Sequence, residues 1–149
     1  MQLKILLFLH LAGAMVWIGG MFFAYFGLRP AAAQVLEPAQ RLPLWAATLR
    51  RFLRFVAVSV VVLLGTGFDM LRRIPIAAAP PGWLLMTALG LVMACVFVFI
   101  YAVLYPRLAR HAQAANWLAA AAALNAIRRL VALNLALGVA VVAAAVAAR

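Results

Sequence analysis

Between Ile5 and Leu28 the chain runs ILLFLHLAGAMVWIGGMFFAYFGL, 24 residues without a formal charge, closed by Arg29-Pro30. At a helical rise of ~1.5 Å per residue this stretch spans roughly 36 Å, enough to cross a ~30 Å hydrocarbon core with some tilt. It is longer than the ~7–15-residue apolar region of a cleaved signal peptide, so it reads as a retained helix even though Ala31-Ala32-Ala33 follows. His10, Ala14, Trp17, Met21, Ala24 and Leu28 recur at helical spacing and form one stripe flanked by Gly13 and Gly20. Small residues admit a neighbouring helix, and an imidazole in lipid is costly. Both facts turn this stripe inward.

The rest of the chain agrees with a membrane solvent. Of the 149 residues, 70% are hydrophobic and 10% charged, with a mean hydropathy of +1.16. Thirteen Lys and Arg against two acids give a net charge of +11. That excess sits at the ends of apolar runs, where topology and lipid phosphates account for it and nucleic acid need not be invoked. A single cysteine, Cys95, excludes a disulfide within the chain.

The expected fold is all-α, a single integral membrane four-helix bundle. Its spans are predicted at about 3–28, 52–71, 83–105 and 130–148, with interfacial segments at about 44–51 and 112–127. Pro43 suits the first turn of a helix beginning there, and Pro80-Pro81 and Pro106 mark further boundaries. Nine arginines (Arg29, Arg41, Arg50, Arg51, Arg54, Arg107, Arg110, Arg128 and Arg129) gather on one side, against Lys4, Arg72, Arg73 and Arg149 on the other. The positive-inside rule places the nine in the cytoplasm and both termini on the outer, periplasmic side. Arg29, Arg50 and Arg51 recur 78 residues later as Arg107, Arg128 and Arg129. This spacing fits two related hairpins and fits equally the arginine-tipped ends of any four-helix membrane protein.

Sorting side chains by depth brings His10, Thr66, Asp69, Met70 and Met86 into one outer layer. Trp17, Met93 and Cys95 fall near the midplane. A neutral imidazole with thioethers suits Cu(I), and the same pair suits haem iron. The metal-ligand candidates are therefore His10, Met86, Met70 and Met21, supported by Thr66 and Asp69; for haem b they are His10 and Trp17. The plainer alternative is that His10 bonds across the bundle to Thr66 or Asp69 and that the methionines only pack. Asp69 also has Arg72 and Arg73 at i+3 and i+4, the spacing of a local ion pair. Phosphate loops, zinc spacings, nucleophile elbows and paired buried carboxylates are all missing from the sequence, which argues against hydrolytic chemistry.

The run His10-Leu-Ala-Gly-Ala-Met-Val-Trp17-Ile-Gly-Gly20-Met-Phe-Phe, followed by Leu28-Arg29-Pro30-Ala-Ala-Ala, resembles the copper-resistance protein D (CopD) family of bacterial inner-membrane proteins. The resemblance continues through Arg50–Phe55, Gly65-Thr-Gly67, Gly90–Met93 and Ile127–Asn134. It implies copper uptake or handling at the inner membrane, a copper ion as cargo, and a periplasmic copper-binding partner or a second copy of the chain as associates. Members of this kind often carry a further histidine near the start of the third span. This chain reads Trp83-Leu-Leu-Met86 there, so Met86 would have to stand in for it. The small HemJ-type proteins, linked to haem b and protoporphyrinogen oxidation, share the first-helix histidine before a Trp-x-Gly-Gly-like stretch and give the alternative. A ligand-free assembly subunit is the third expectation.

Overall fold

A computed structural model describes residues 1–75 and 79–147; the middle of the link between the second and third spans, Ala148 and Arg149 lie outside the described residues. Four helices, each long and apolar enough to cross a membrane, make up the fold: α1 (Gln2–Val35), α2 (Pro38–Leu71), α3 (Pro81–Gln113) and α4 (Trp117–Ala147). They form an up-and-down bundle in which α1 packs on α2, α3 on α4, and α4 closes back on α1. Gly20 lets α1 approach α2 closely, since a Cβ there would fall within 2.2 Å of the Phe52 ring. The outside is apolar: Phe8, Met15, Phe55 and Val61 are 66–74% exposed, a surface that only lipid tails cover without penalty.

The helices are longer than the predicted spans. At 31–34 residues each they reach roughly 45–50 Å, well beyond a ~30 Å hydrocarbon core. The segments expected to lie at the interface, about 44–51 and 112–127, are helical apart from the turn Ala114–Asn116 and pack within the bundle. α2 begins at Pro38, which takes the first helical position after extended Leu36 and Glu37, and Pro43 is carried inside the helix. Trp45 and Leu49 of the first segment are each 4% exposed, and Ala120, Leu124 and Ile127 of the second are at most 2% exposed. Apolar side chains on one face therefore turn both segments into the core rather than onto the membrane surface.

Two prolines shape the same region. Phe23–Leu28 and Ile100–Leu104 wind as π-helical turns just before Pro30 and Pro106. A proline offers no N–H and crowds the preceding turn, and a wider turn relieves both problems while the helix continues. α3 ends in a Schellman motif: Asn116 N–H bonds His111 carbonyl at 3.0 Å, Ala115 N–H bonds Ala112 carbonyl at 3.3 Å, and Ala115 takes a left-handed φ of 54°. The side chain of Asn116 then accepts the Ala119 N–H at 3.2 Å and caps α4. The described ends at Gln2 and Ala147 thus lie at one end of the bundle, the histidine end, with the nine arginines at the other.

Candidate functional site

His10 and Thr66 join α1 to α2 across 56 positions of sequence, with Nδ1 and Oγ1 2.9 Å apart. Thr66 is buried on the inner face of α2. Its Oγ1 lies 2.6 Å from the Val62 carbonyl one turn back, and 3.3 Å from that of Leu63. A hydroxyl has one proton to give. The short contact commits that proton to the backbone, so Oγ1 meets the imidazole as an acceptor and Nδ1–H is the donor. Neutral His10 is then the Nδ1–H tautomer, with the lone pair on Nε2. One ring nitrogen held by a neighbour and the other left as a base is how metal-ligating histidines are oriented. Gly67 makes room for this ring, since a Cβ there would stand 3.2 Å from Cε1.

The other candidates divide by depth. Met70 follows Thr66 by one turn on the same face of α2 and is half-buried, as is Met86 near the start of α3. Met21 is 2% exposed in the core, eleven residues and roughly 16 Å along α1 from His10, too far to share one ion with it. Asp69 is otherwise engaged: one carboxylate oxygen accepts from Arg72 (Nε at 2.7 Å, and Nη2), the other from Arg73 at 2.7 and 3.0 Å. Among the described residues no group of three or more His, Cys, Asp or Glu could hold a metal. Of the sequence's candidates His10, Met70 and Met86 remain, an imidazole and two thioethers, donor types suited to a soft ion of low coordination number.

Haem fits less well. Trp17 is 5% exposed and packed edge-on against Phe97, centroids 6.2 Å apart. It lies two turns from His10 and borders a cavity of only about 20 Å³. Among the described residues no slot for a macrocycle opens beside it, and no step is assigned to haem. That cavity also receives Asn134, a residue given no role in the sequence reading. Its Nδ2 donates to the Met93 carbonyl at 3.1 Å, while Oδ1 is buried without a partner. An isolated amide in an otherwise apolar run was its only signal.

The comparisons with known proteins now bear on this geometry. A family described as Copper resistance protein D (CopD) matches residues 46–148, which takes in α2 from Ala46, all of α3 and α4, and Thr66. The chain belongs to the CopD family. Membership gives it a relation to copper resistance at a membrane, in keeping with four spanning helices. The matched stretch begins after α1, so His10 is not part of it. No curated protein and no solved structure matches the chain.

Proposed function

We propose that this CopD-family chain handles copper in the bacterial inner membrane, in uptake or resistance, holding Cu(I) at a site centred on His10. The arginine end faces the cytoplasm in this reading, and the histidine end faces the periplasm, where a copper-binding partner protein would deliver or collect the ion. The observation that carries the reading is the His10–Thr66 contact, with the threonine proton committed to Val62 and Nε2 left as a base. Cu(I) accepts linear or trigonal coordination by an imidazole and thioethers, so His10 with Met70, joined by Met86 from α3, supplies a chemically sufficient set. Met21 is too far along α1 to join it and is assigned to packing. Asp69, paired with two arginines, is assigned to the surface.

The test is Cu(I) titration of the purified protein against a chromophoric chelator, with His10→Ala beside the unaltered chain. One ion per chain in the parent and none in the variant is expected. Equal stoichiometry in the two would overturn the His10 site.

A further inference from the structure

Of the nine arginines at the arginine end, six are exposed, and only Arg29, Arg41 and Arg128 are half-buried. These three come from three different helices, α1, α2 and α4. Arg29 and Arg41 lie close enough to Arg128 to act on it as like charges. None of the three is in an ion pair: those among the described residues involve Asp69 alone, at the opposite end, and Glu37, the acid at this end, is exposed and makes none. Arg128 stands over the Trp45 ring, 5.6 Å from its centroid, and Arg29 over that of Tyr25 at 5.0 Å. Such stacking holds a guanidinium in place without neutralising it.

Two donors in this cluster have no acceptor. Trp45 is 4% exposed, yet its indole N–H is buried and unpartnered, and so is Nε of Arg128. Both residues, with Arg29, line a cavity of about 30 Å³ floored by Phe52, Leu124 and Val131. It admits one or two water-sized groups, such as phosphoryl oxygens. An orphaned buried donor costs on the order of 1–3 kcal/mol, and these two lie in the wall of one cavity, behind its apolar surface, so an acceptor reaches them once the side chains over them shift. The depth is also set: Arg29 closes the charge-free run of α1, and Arg128-Arg129 immediately precedes that of α4. The cavity mouth therefore stands where lipid phosphates lie.

We propose that Arg29, Arg41 and Arg128, with the Trp45 indole N–H, form a binding site for a phosphate oxyanion. Anionic lipid headgroups and free phosphate share that chemistry. The exposed arginines meet lipid as single charges, whereas these three bring forked donors together from three helices. The site is independent of the copper reading and survives its failure.

Native mass spectrometry of the full chain in neutral detergent tests it, with phosphatidylglycerol, phosphatidylcholine or inorganic phosphate added. The parent is expected to retain one phosphatidylglycerol with about tenfold preference over phosphatidylcholine. Arg29→Gln with Arg128→Gln should abolish that preference, while Arg50→Gln with Arg51→Gln, which removes the same charge from exposed positions, should keep it. Trp45→Phe retains the ring and removes only the N–H, so a several-fold weaker retention in a chain with unchanged helicity covers the case in which the double variant fails to fold. Retention of inorganic phosphate that displaces phosphatidylglycerol would identify the free ion as the occupant. Equal loss in the two arginine pairs, or no preference for either phosphate source in the parent, would overturn the proposal.

Discussion

At the arginine end, Val56, Leu108, Leu124 and Ile127 are each under 2% exposed or at that limit, and the helices continue as a packed bundle past the charge-free runs. At the histidine end none of residues 1–9, 67–75 and 79–92 is buried, and Ala144, 8% exposed, is the one buried residue of 139–147. Both ends are built from the same four helices. One is a core; the other is a loose array held by a single polar contact between α1 and α2. Interhelical packing, rather than apolar transfer, holds helices together in lipid. Stability therefore belongs to the arginine end, and the freedom to open locally belongs to the histidine end, where the proposed copper site lies.

That division can be broken by substitutions whose effects should separate. The largest is His10→Ala, expected to cost at least about a hundredfold in Cu(I) affinity with little change in resistance to unfolding by detergent. Next, Leu108→Ala should lower unfolding free energy by about 2 kcal/mol in an SDS titration and leave copper stoichiometry intact, whereas Met15→Ala at the lipid face should change neither quantity. Copper loss in Leu108→Ala under conditions where the chain remains folded would end the separation of the two ends. Thr66→Val keeps the shape and removes the acceptor for Nδ1–H; about a tenfold loss of Cu(I) affinity is expected, restored by Thr66→Ser. The smallest effect belongs to Asp69→Asn. With its carboxylate occupied by Arg72 and Arg73, it should change copper affinity by less than about twofold, as chelator competition would measure.

Much of the fold was legible because a membrane span is a strong, local signal. The charge-free run of α1, the prolines and the arginine clusters place four helices, and the inward stripe of α1 is realised, with Trp17 and Met21 buried and none of its other members exposed. The length of the helices was not legible. Arginines such as Arg50, Arg51 and Arg128 read as the edge of the hydrocarbon, but a helix does not stop where lipid stops. Burial of Trp45, Leu49, Ala120 and Leu124 depends on partners from other helices that no local pattern announces.

The pairing of His10 with Thr66 was one of two open choices, and only the antiparallel register of α1 and α2 brings those two side chains together. Met21 shows the converse: it shares a face with His10, and the face was readable, yet distance along that face separates them. The gathering around Trp45 left a faint trace in the sequence, Arg41, Trp45, Leu49 and Phe52 at helical spacing. The two further arginines arrive from α1 and α4, and no stretch of α2 could disclose them.

The Schellman turn at Ala115 and the extended pair Leu36-Glu37 have a consequence for sidedness. Because both connections at the arginine end are so brief, all nine arginines there lie in hydrogen-bonded helix and offer trypsin no extended backbone to grip. Arg72 and Arg73 are different, since they occupy the turn that follows α2. Limited digestion of sealed vesicles should therefore nick the chain after Arg73, into pieces of 73 and 76 residues, only when the protease is on the histidine side. A protein crowded with arginine would then report its own orientation through a single cut.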